Sequence, residues 1–311
     1  MESASPGACG QSRRAMPAWL QIIPATALCS GRGRGRGPVE APGASAYDPE
    51  TDRESFRSFF ATYGFAVLRV SPADTALFRR CTRRFEREVF RALPREEKQQ
   101  LQSFDAKGSL CGWNRPSAAK EVFRLLGPGV GSSAPGPAHD AVRVYKRLRR
   151  LARSCLRVLL HQSNGPGRGG TPGGATPPSQ PSPLDVFFYM NNPDDAEAEG
   201  VANLSPHVDP GYVTLVPTAA TPGLALRSPG LGRWCKVEED LGLEPLRYVV
   251  AFPGVALQEA VAAHAPGSLP IKAAVHLVYK SLGAARLSLV FELRRPPVTG
   301  RRRSWKLRPL R

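Results

Sequence analysis

His207 and Asp209 stand two residues apart in the segment Ser205-Pro206-His207-Val208-Asp209-Pro210-Gly211. At an extended strand end this spacing points both side chains to the same face. An imidazole and a carboxylate on one face supply two ligands for a borderline-hard metal. A second histidine would complete a two-histidine, one-carboxylate facial set, which suits non-haem Fe(II) and leaves three coordination positions open. His276 is the best candidate for the third ligand. It lies inside the strand-like run Ala273-Ala274-Val275-His276-Leu277-Val278-Tyr279, where a buried imidazole needs a reason. Ten residues on come Arg286 and Ser288, again two apart and so on one strand face. A planar guanidinium beside a hydroxyl can hold a carboxylate bidentately. Each fragment alone is common: an isolated His-x-Asp is usually a capping or surface pair, and a histidine on a strand is usually a satisfied core residue. Their order along the chain gives one hairpin that carries a metal ligand and a carboxylate anchor toward one cavity.

The elements that must position these residues come in two textures. Residues 52–62 read as a short helix, and Tyr63 to Leu68 as a strand. Residues 72–92 read as a helix with Leu77, Phe78, Cys81, Phe85, Val89 and Phe90 at near-helical spacing. Pro94 ends it, and Arg95 to Gln102 begins another turn. Residues 140–161 form a second long helix, with Val142, Tyr145, Leu148, Leu151, Ala152, Cys155 and Leu159 on one face. Short strand-like runs follow at 184–190, 212–217, 223–227, 246–252, 273–279 and 286–293. Helices first and many short strands later predict an α+β, mainly β fold: a helical layer packed on a β-sandwich or jelly roll. The expected organisation is a tail at 1–46, a helical and β region at 47–162, a disordered Gly/Pro-rich loop at 163–183, a jelly-roll core at 184–297 and a basic tail at 298–311.

The chain of 311 residues is 41% hydrophobic, enough for a sizeable core, while its 31 prolines and 30 glycines point to low-complexity insertions. No apolar run approaches the roughly 20 residues that span a bilayer, so no membrane partner is expected. The six cysteines include no Cys-x-x-Cys pair, which argues against a zinc ribbon or a disulfide scaffold and for a reducing compartment. The net charge of +17 invites a nucleic-acid reading. It is concentrated, however, in residues 1–46, in residues 294–311, and in one helix stretch, 143–157, that carries seven basic residues and no acid. The rest of the chain is close to neutral, so solvated faces explain most of the excess. Residues 1–46, rich in Ser, Ala, Arg and Gly, read either as an inert tail on a cytoplasmic protein or as a mitochondrial or plastid transit peptide.

The chain resembles the 2-oxoglutarate- and iron-dependent oxygenase superfamily, and most closely its isopenicillin-N-synthase-like branch, over about residues 50–297. His207 to Leu215 resembles that branch's HTDPGxxTLL. Pro222-Gly223-Leu224 and Trp234 to Val237 resemble PGLQV and W-x-x-V. Lys272 to His276 resembles KSVLH, and Arg286 to Phe291 resembles RLSIAFF. In the N-terminal half, Tyr63-Gly64-Phe65 resembles the YGFF strand, Phe90 to Lys98 resembles FFxLPxEEK, and Lys120 to Phe123 resembles KExF. The resemblance implies a distorted double-stranded β-helix with Fe(II) bound by His207, Asp209 and His276. It implies that Arg286 and Ser288 hold the distal carboxylate of 2-oxoglutarate, that O2 converts this co-substrate to succinate and CO2, and that a small organic substrate is hydroxylated, desaturated or cyclised. Leu184 to Pro193 resembles LxxNYYPxCP. This places Tyr189 on the second Tyr, which can reach the co-substrate, but puts Phe187 where the family has Asn.

Some members of the branch oxidise their substrate directly or use ascorbate, so an iron oxidase without 2-oxoglutarate is one alternative. A nucleic-acid-binding protein acting through the basic helix and tail is another. A monomer is the expected state. His139 and His161 at helix edges are expected to have no role, and His264 is set aside because Pro266 and Gly267 make its segment a loop. Trp113 either touches substrate or packs in the core or a lid. Arg294, Arg295, Asp194, Asp195 and Glu197 are expected to be solvated. No phosphate-binding glycine motif follows a strand.

Overall fold

A computed structural model of the chain describes residues 22–29, 49–104, 109–127, 136–160, 181–191, 202–264, 270–281 and 284–295. Its elements begin with β1 (Ile22–Pro24), α1 (Ala25–Cys29), α2 (Pro49–Tyr63), β2 (Ala66–Arg69) and α3 (Pro72–Arg84), which runs into a π-helical segment, Phe85–Arg91. Then come α4 (Arg95–Gln100), β3 (Ser103–Phe104), β4 (Leu110–Ser117), β5 (Lys120–Leu125) and α5 (Pro137–Leu160). The second half holds β6 (Leu184–Tyr189), β7 (Ala202–His207), β8 (Val213–Pro217), β9 (Leu224–Ser228), β10 (Arg233–Lys236) and α6 (Val237–Asp240). It closes with β11 (Tyr248–Pro253), α7 (Val255–His264), β12 (His276–Tyr279) and β13 (Arg286–Leu293).

The strands form two sheets. One has nine strands in the order β1-β2-β11-β8-β13-β6-β5-β4-β3, and the other has four in the order β10-β9-β12-β7. The period of two along each strand decides which side chains meet which layer. On β6, Leu184, Val186 and Phe188 join the apolar cluster of α3 and α5, as do Leu289, Phe291 and Leu293 on β13. Asp185, Phe187 and Tyr189, with Arg286, Ser288, Val290 and Glu292, therefore face the other way, toward the small sheet. There Val216, Val250, Phe252, Leu224 and Leu226 form a second cluster. Each fully buried Phe or Leu in these layers contributes roughly 1.5–3 kcal/mol. The helices thus stiffen one face of the large sheet and leave the space between the sheets for polar chemistry.

The apolar faces expected of the two long helices are all buried. The hydroxyl of Ser71 caps α3 by accepting from the Asp74 N–H. Other expectations need correction. Residues 1–46 are not all tail: Ile22–Pro24 pairs in parallel with β2, and Ile23 and Leu28 are buried. The helical half is not purely helical either, because β3, β4 and β5 extend the large sheet at its other edge. β7 and β10 lack strong strand signals in sequence; Ala202–His207 contains Pro206 and polar residues. Of the segment around His264 that read as a loop, Ala262 to His264 form the last turn of α7; residues 265–269 and the side chain of His264 lie outside the described residues. Residues 163–180 and 298–311, with His161, Asp194, Asp195 and Glu197, also lie outside them. Among the described residues no helix is long and apolar enough to cross a membrane.

Candidate metal centre and its carboxylate pocket

His207 ends β7 and His276 begins β12, and the antiparallel register sets the two directly opposite each other. Their ring centroids lie 4.1 Å apart. Asp209 follows β7 by two residues. Its carboxylate oxygens lie 3.7 Å from His207 Nε2 and 3.8 Å from His276 Nε2. One ligand atom from each of the three residues falls within 4.8 Å of the others. Each ring is oriented by its far nitrogen: His207 Nδ1 lies 2.9 Å from the Ser205 carbonyl oxygen, and His276 Nδ1 lies 3.2 Å from that of Ala274. An Nδ1–H donated to a carbonyl leaves Nε2 with a lone pair aimed at the centre. Burial lowers the pKa of His276, with His207 adding to the effect and Asp209 opposing it. The ring is therefore neutral near pH 7, as a metal ligand must be. Two imidazole nitrogens and one carboxylate oxygen converging from three directions fit a divalent metal of the Fe(II) kind.

The turn that presents Asp209 is built from outside. The N–H groups of Val255 and Ala256, at the start of α7, donate to the carbonyls of Asp209 (2.9 Å) and Gly211 (3.1 Å). This approach requires glycine twice. A Cβ at Gly254 would lie 2.3 Å from the Gly211 carbonyl oxygen, and one at Gly211 would lie 2.7 Å from Glu292 Oε1 and from the Leu293 carbonyl oxygen. The Thr214 hydroxyl donates to Asp209 Oδ2. Glu292 stands close by, its carboxyl pKa pushed up by burial and drawn back by the Arg294 guanidinium, to which it is bonded.

The expected carboxylate anchor lies farther along the same interior. Cross-strand register aligns Lys120 on β5, Tyr189 on β6 and Arg286 on β13 in one row, with Val122, Phe187 and Ser288 in the next. Burial raises the pKa of the Tyr189 phenol, and the Arg286 guanidinium opposes the rise. Phe187 stacks on Tyr189 at 5.7 Å and has the Lys120 ammonium 5.9 Å from its ring centroid. Burial lowers the pKa of Lys120. Arg286 and Ser288 are both buried, but Arg286 is not a bare cation. Its Nη2 lies 3.0 Å from Glu238 Oε1, and its Nη1 donates to Glu238 Oε2 at 3.1 Å and to the Thr221 carbonyl. Its Nε is buried and has no hydrogen-bond partner among the described residues. Three of the five guanidinium N–H groups are thus engaged, and the Nε–H and one Nη2–H are left to meet an oxygen of a bound ligand.

The sequence did not point to Glu238. It sits in the acidic run Val237–Asp240, and it meets Arg286 only through the fold. Nor did it point to Thr214 as a partner of Asp209. Trp113 is a core residue: its indole N–H donates to Glu121 Oε2 at 2.8 Å. Arg294 and Arg295 are not merely solvated, since they pair with Glu292 and Glu259.

No protein-family model and no curated protein sequence matches the chain. Solved structures do. The rice dioxygenase for auxin oxidation is 16% identical, with a TM-score of 0.62 over 89% of this chain and 83% of that one. A full-length Neurospora crassa protein solved in complex with alpha-KG is 16% identical, with a TM-score of 0.60 over 88% and 84%. The Arabidopsis thaliana dioxygenase for auxin oxidation 1, bound to 2-oxoglutarate, is 17% identical, with a TM-score of 0.59 over 80% and 90%. The chain shares the fold of these proteins.

Proposed function

We propose that the protein is a non-haem Fe(II) oxidoreductase that oxidises a small organic substrate with O2 and 2-oxoglutarate. Hydroxylation, desaturation and ring closure are all within the reach of this chemistry. The observation that carries the reading is the register pair His207 and His276 with Asp209 between them, three convergent ligands at one mouth of the interior. The two sheets then form the halves of a double-stranded β-helix. His207, Asp209 and His276 hold the iron. Arg286, Ser288 and Tyr189 line the end of the pocket that receives the tail of the co-substrate.

Iron held by these three residues would supply the redox chemistry that couples oxidative decarboxylation of the 2-oxo acid to substrate oxidation. The chain's own residues bind, orient and exclude water. The backbone carbonyls of Ser205 and Ala274 fix the tautomers of the two histidines. Thr214 holds one Asp209 oxygen, so that the other faces the centre. The raised pKa of Tyr189 keeps its hydroxyl protonated at neutral pH, so it can donate to a ligand carboxylate.

The test is an anaerobic titration of the metal-free protein with Fe(II) and then 2-oxoglutarate, watching for the visible charge-transfer band of the chelate. The expected result is a band in the native protein that is lost in His207→Ala. Iron uptake without a band from any 2-oxo acid would shift the reading to an iron oxidase of the same fold that needs none. Absence of iron uptake in folded protein would end the enzyme reading.

A further inference from the structure

We propose that Lys120 supplies the net positive charge by which this pocket selects a 2-oxo acid with a second carboxylate, while Arg286 supplies the directed donors that place it. The inference rests on the iron and 2-oxo acid reading above and adds a residue to the tail end of that site.

Lys120 opens β5 and stands across β6 from Arg286, with Tyr189 between them. The next residues along β5 settle which way it faces. Glu121 and Phe123 turn to the helical layer, so the period of two turns Lys120 and Val122 to the interior. Adjacent strands lie about 4.8 Å apart, which puts the Lys120 backbone about 10 Å from that of Arg286. Lysine carries its charge on a flexible four-carbon stem that can lean across this gap.

The two cations differ in what already holds them. Arg286 is paired with Glu238 at 3.0 Å, and the two side chains are only 1% and 2% exposed. Glu238 cannot swing away without stranding buried backbone donors. Its Oε1 accepts from the Ala219 N–H at 3.0 Å, and its Oε2 accepts from the N–H groups of Gly223 (2.9 Å) and Leu224 (3.0 Å). Arg286 therefore offers a ligand two N–H groups, on Nε and Nη2, from an ion pair whose charges cancel. Lys120 is the reverse case. Its half-buried ammonium stands 5.9 Å from the Phe187 ring centroid and has no hydrogen bond or ion pair among the described residues. Asp185, whose charge reaches it, is held by Arg124 through Nε at 2.7 Å and Nη2 at 2.6 Å. Burial lowers the Lys120 pKa, as befits an ammonium with no anion in contact.

A carboxylate entering a largely buried site needs a counter-charge as well as donors. Beside Arg286 and Glu238 alone it would be the one uncompensated ion. Lys120 closes that balance: Glu238 answers the guanidinium, and the distal carboxylate of the ligand answers the ammonium. A 2-oxo acid with an uncharged tail gains nothing from Lys120.

The experiment compares 2-oxoglutarate with 2-oxopentanoate, the five-carbon acid without the distal carboxylate, as ligands of the anaerobic Fe(II)-loaded full-length protein. The chelate band reports binding without turnover. The native protein is expected to prefer 2-oxoglutarate by about tenfold or more, the size of one hydrogen bond to a charged group. Lys120→Met, which keeps the length of the side chain and removes its charge, should lose most of that preference by weakening 2-oxoglutarate alone. Lys120→Arg should retain it. A native protein without the preference overturns the proposal. So does a Lys120→Met protein that binds 2-oxoglutarate as tightly as the native one, since Arg286 would then suffice. Equal weakening of both acids would make Lys120 a structural residue and overturn it too. If the protein takes up no Fe(II), the iron reading falls separately. The two acids titrated calorimetrically against metal-free native and Lys120→Met protein then decide the charge rule, which falls as well if neither binds.

Discussion

Asp209 is gripped from two sides, by the Thr214 hydroxyl at its side chain and by the α7 N-terminus at its backbone. Partners of this kind fix which oxygen a carboxylate ligand presents, and losing one typically costs 10–100-fold in metal affinity. Thr214→Val, which keeps the side-chain volume inside the sheet, is therefore expected to weaken Fe(II) binding by about tenfold or more while the unfolding transition stays cooperative. Competition with a metal-sensitive dye would read it, and unchanged affinity would mean that Asp209 is set by its backbone alone. The pH dependence has a definite sign. His276 in the metal-free fold holds its proton less tightly than a free imidazole, chiefly because it is buried. As pH falls through the ordinary histidine range, the unfolded chain takes up a proton that the folded one resists, so the metal-free protein loses stability toward acid. The metal set was legible in sequence because its two short-range members share a strand end and the third sits at a fixed interval from a second pair. Glu238 was not legible, because its pairing with Arg286 spans 48 residues and two sheets.

The elements that frame the site are tied by polar groups as well as by apolar packing. On the helix side of the large sheet, the Lys98 ammonium at the end of α4 donates to the Phe90 carbonyl at 2.6 Å and to Glu121 Oε2 at 2.9 Å. Glu121 also receives the Trp113 indole, so one buried carboxylate joins α4, the π-helical segment, β4 and β5. Removing one member of such a pair leaves the other charge buried and typically costs 3–5 kcal/mol, whereas replacing both with apolar residues is close to neutral. Lys98→Met alone should therefore lower stability by about that amount, and Lys98→Met with Glu121→Leu should recover only part of it in urea unfolding, because the Trp113 indole N–H then loses its partner. Equal losses in the single and double variants would show that the stranded Glu121 carboxylate is not the source of the loss. Long helices and apolar strands were readable because their periods are strong: every residue placed on the buried faces of α3, its π-helical continuation and α5 is buried. The π-helical register was not, since one extra residue per turn leaves the apolar pattern intact. β7 was hidden because its side chains are half-buried or exposed, so neither alternation nor a run of branched residues marks it.

At the scale of the whole molecule, the edges of the large sheet distinguish this chain from a bare two-sheet core. The basic outer face of α5 is partly committed internally: Arg147 binds Asp74 at the start of α3, and Arg80 and Arg84 reach Asp140 in the first turn of α5. The other edge is closed by residues that composition alone had assigned to a tail. Ile23 is fully buried against β2 and α2, and Leu28 on α1 lies within the cluster that includes Phe56, Phe60 and α5. Withdrawing these two side chains costs roughly 3–6 kcal/mol, a large part of the 5–15 kcal/mol by which a typical domain is stable. It would also leave β2, whose Ala66, Val67 and Leu68 are buried, as an unpaired apolar edge of the kind that recruits other chains. A protein lacking residues 1–29 is accordingly expected to unfold at a clearly lower urea concentration than the full chain and to aggregate on warming. Light scattering during thermal unfolding, alongside Fe(II) uptake, separates the outcomes. A form cut near residue 47 that stays monomeric, unfolds like the full chain and takes up iron would show that the β1 edge is dispensable and would return the first 46 residues to the role of a removable leader. Loss of stability with the iron site intact would show that β1 and α1 close the β2 edge of the fold.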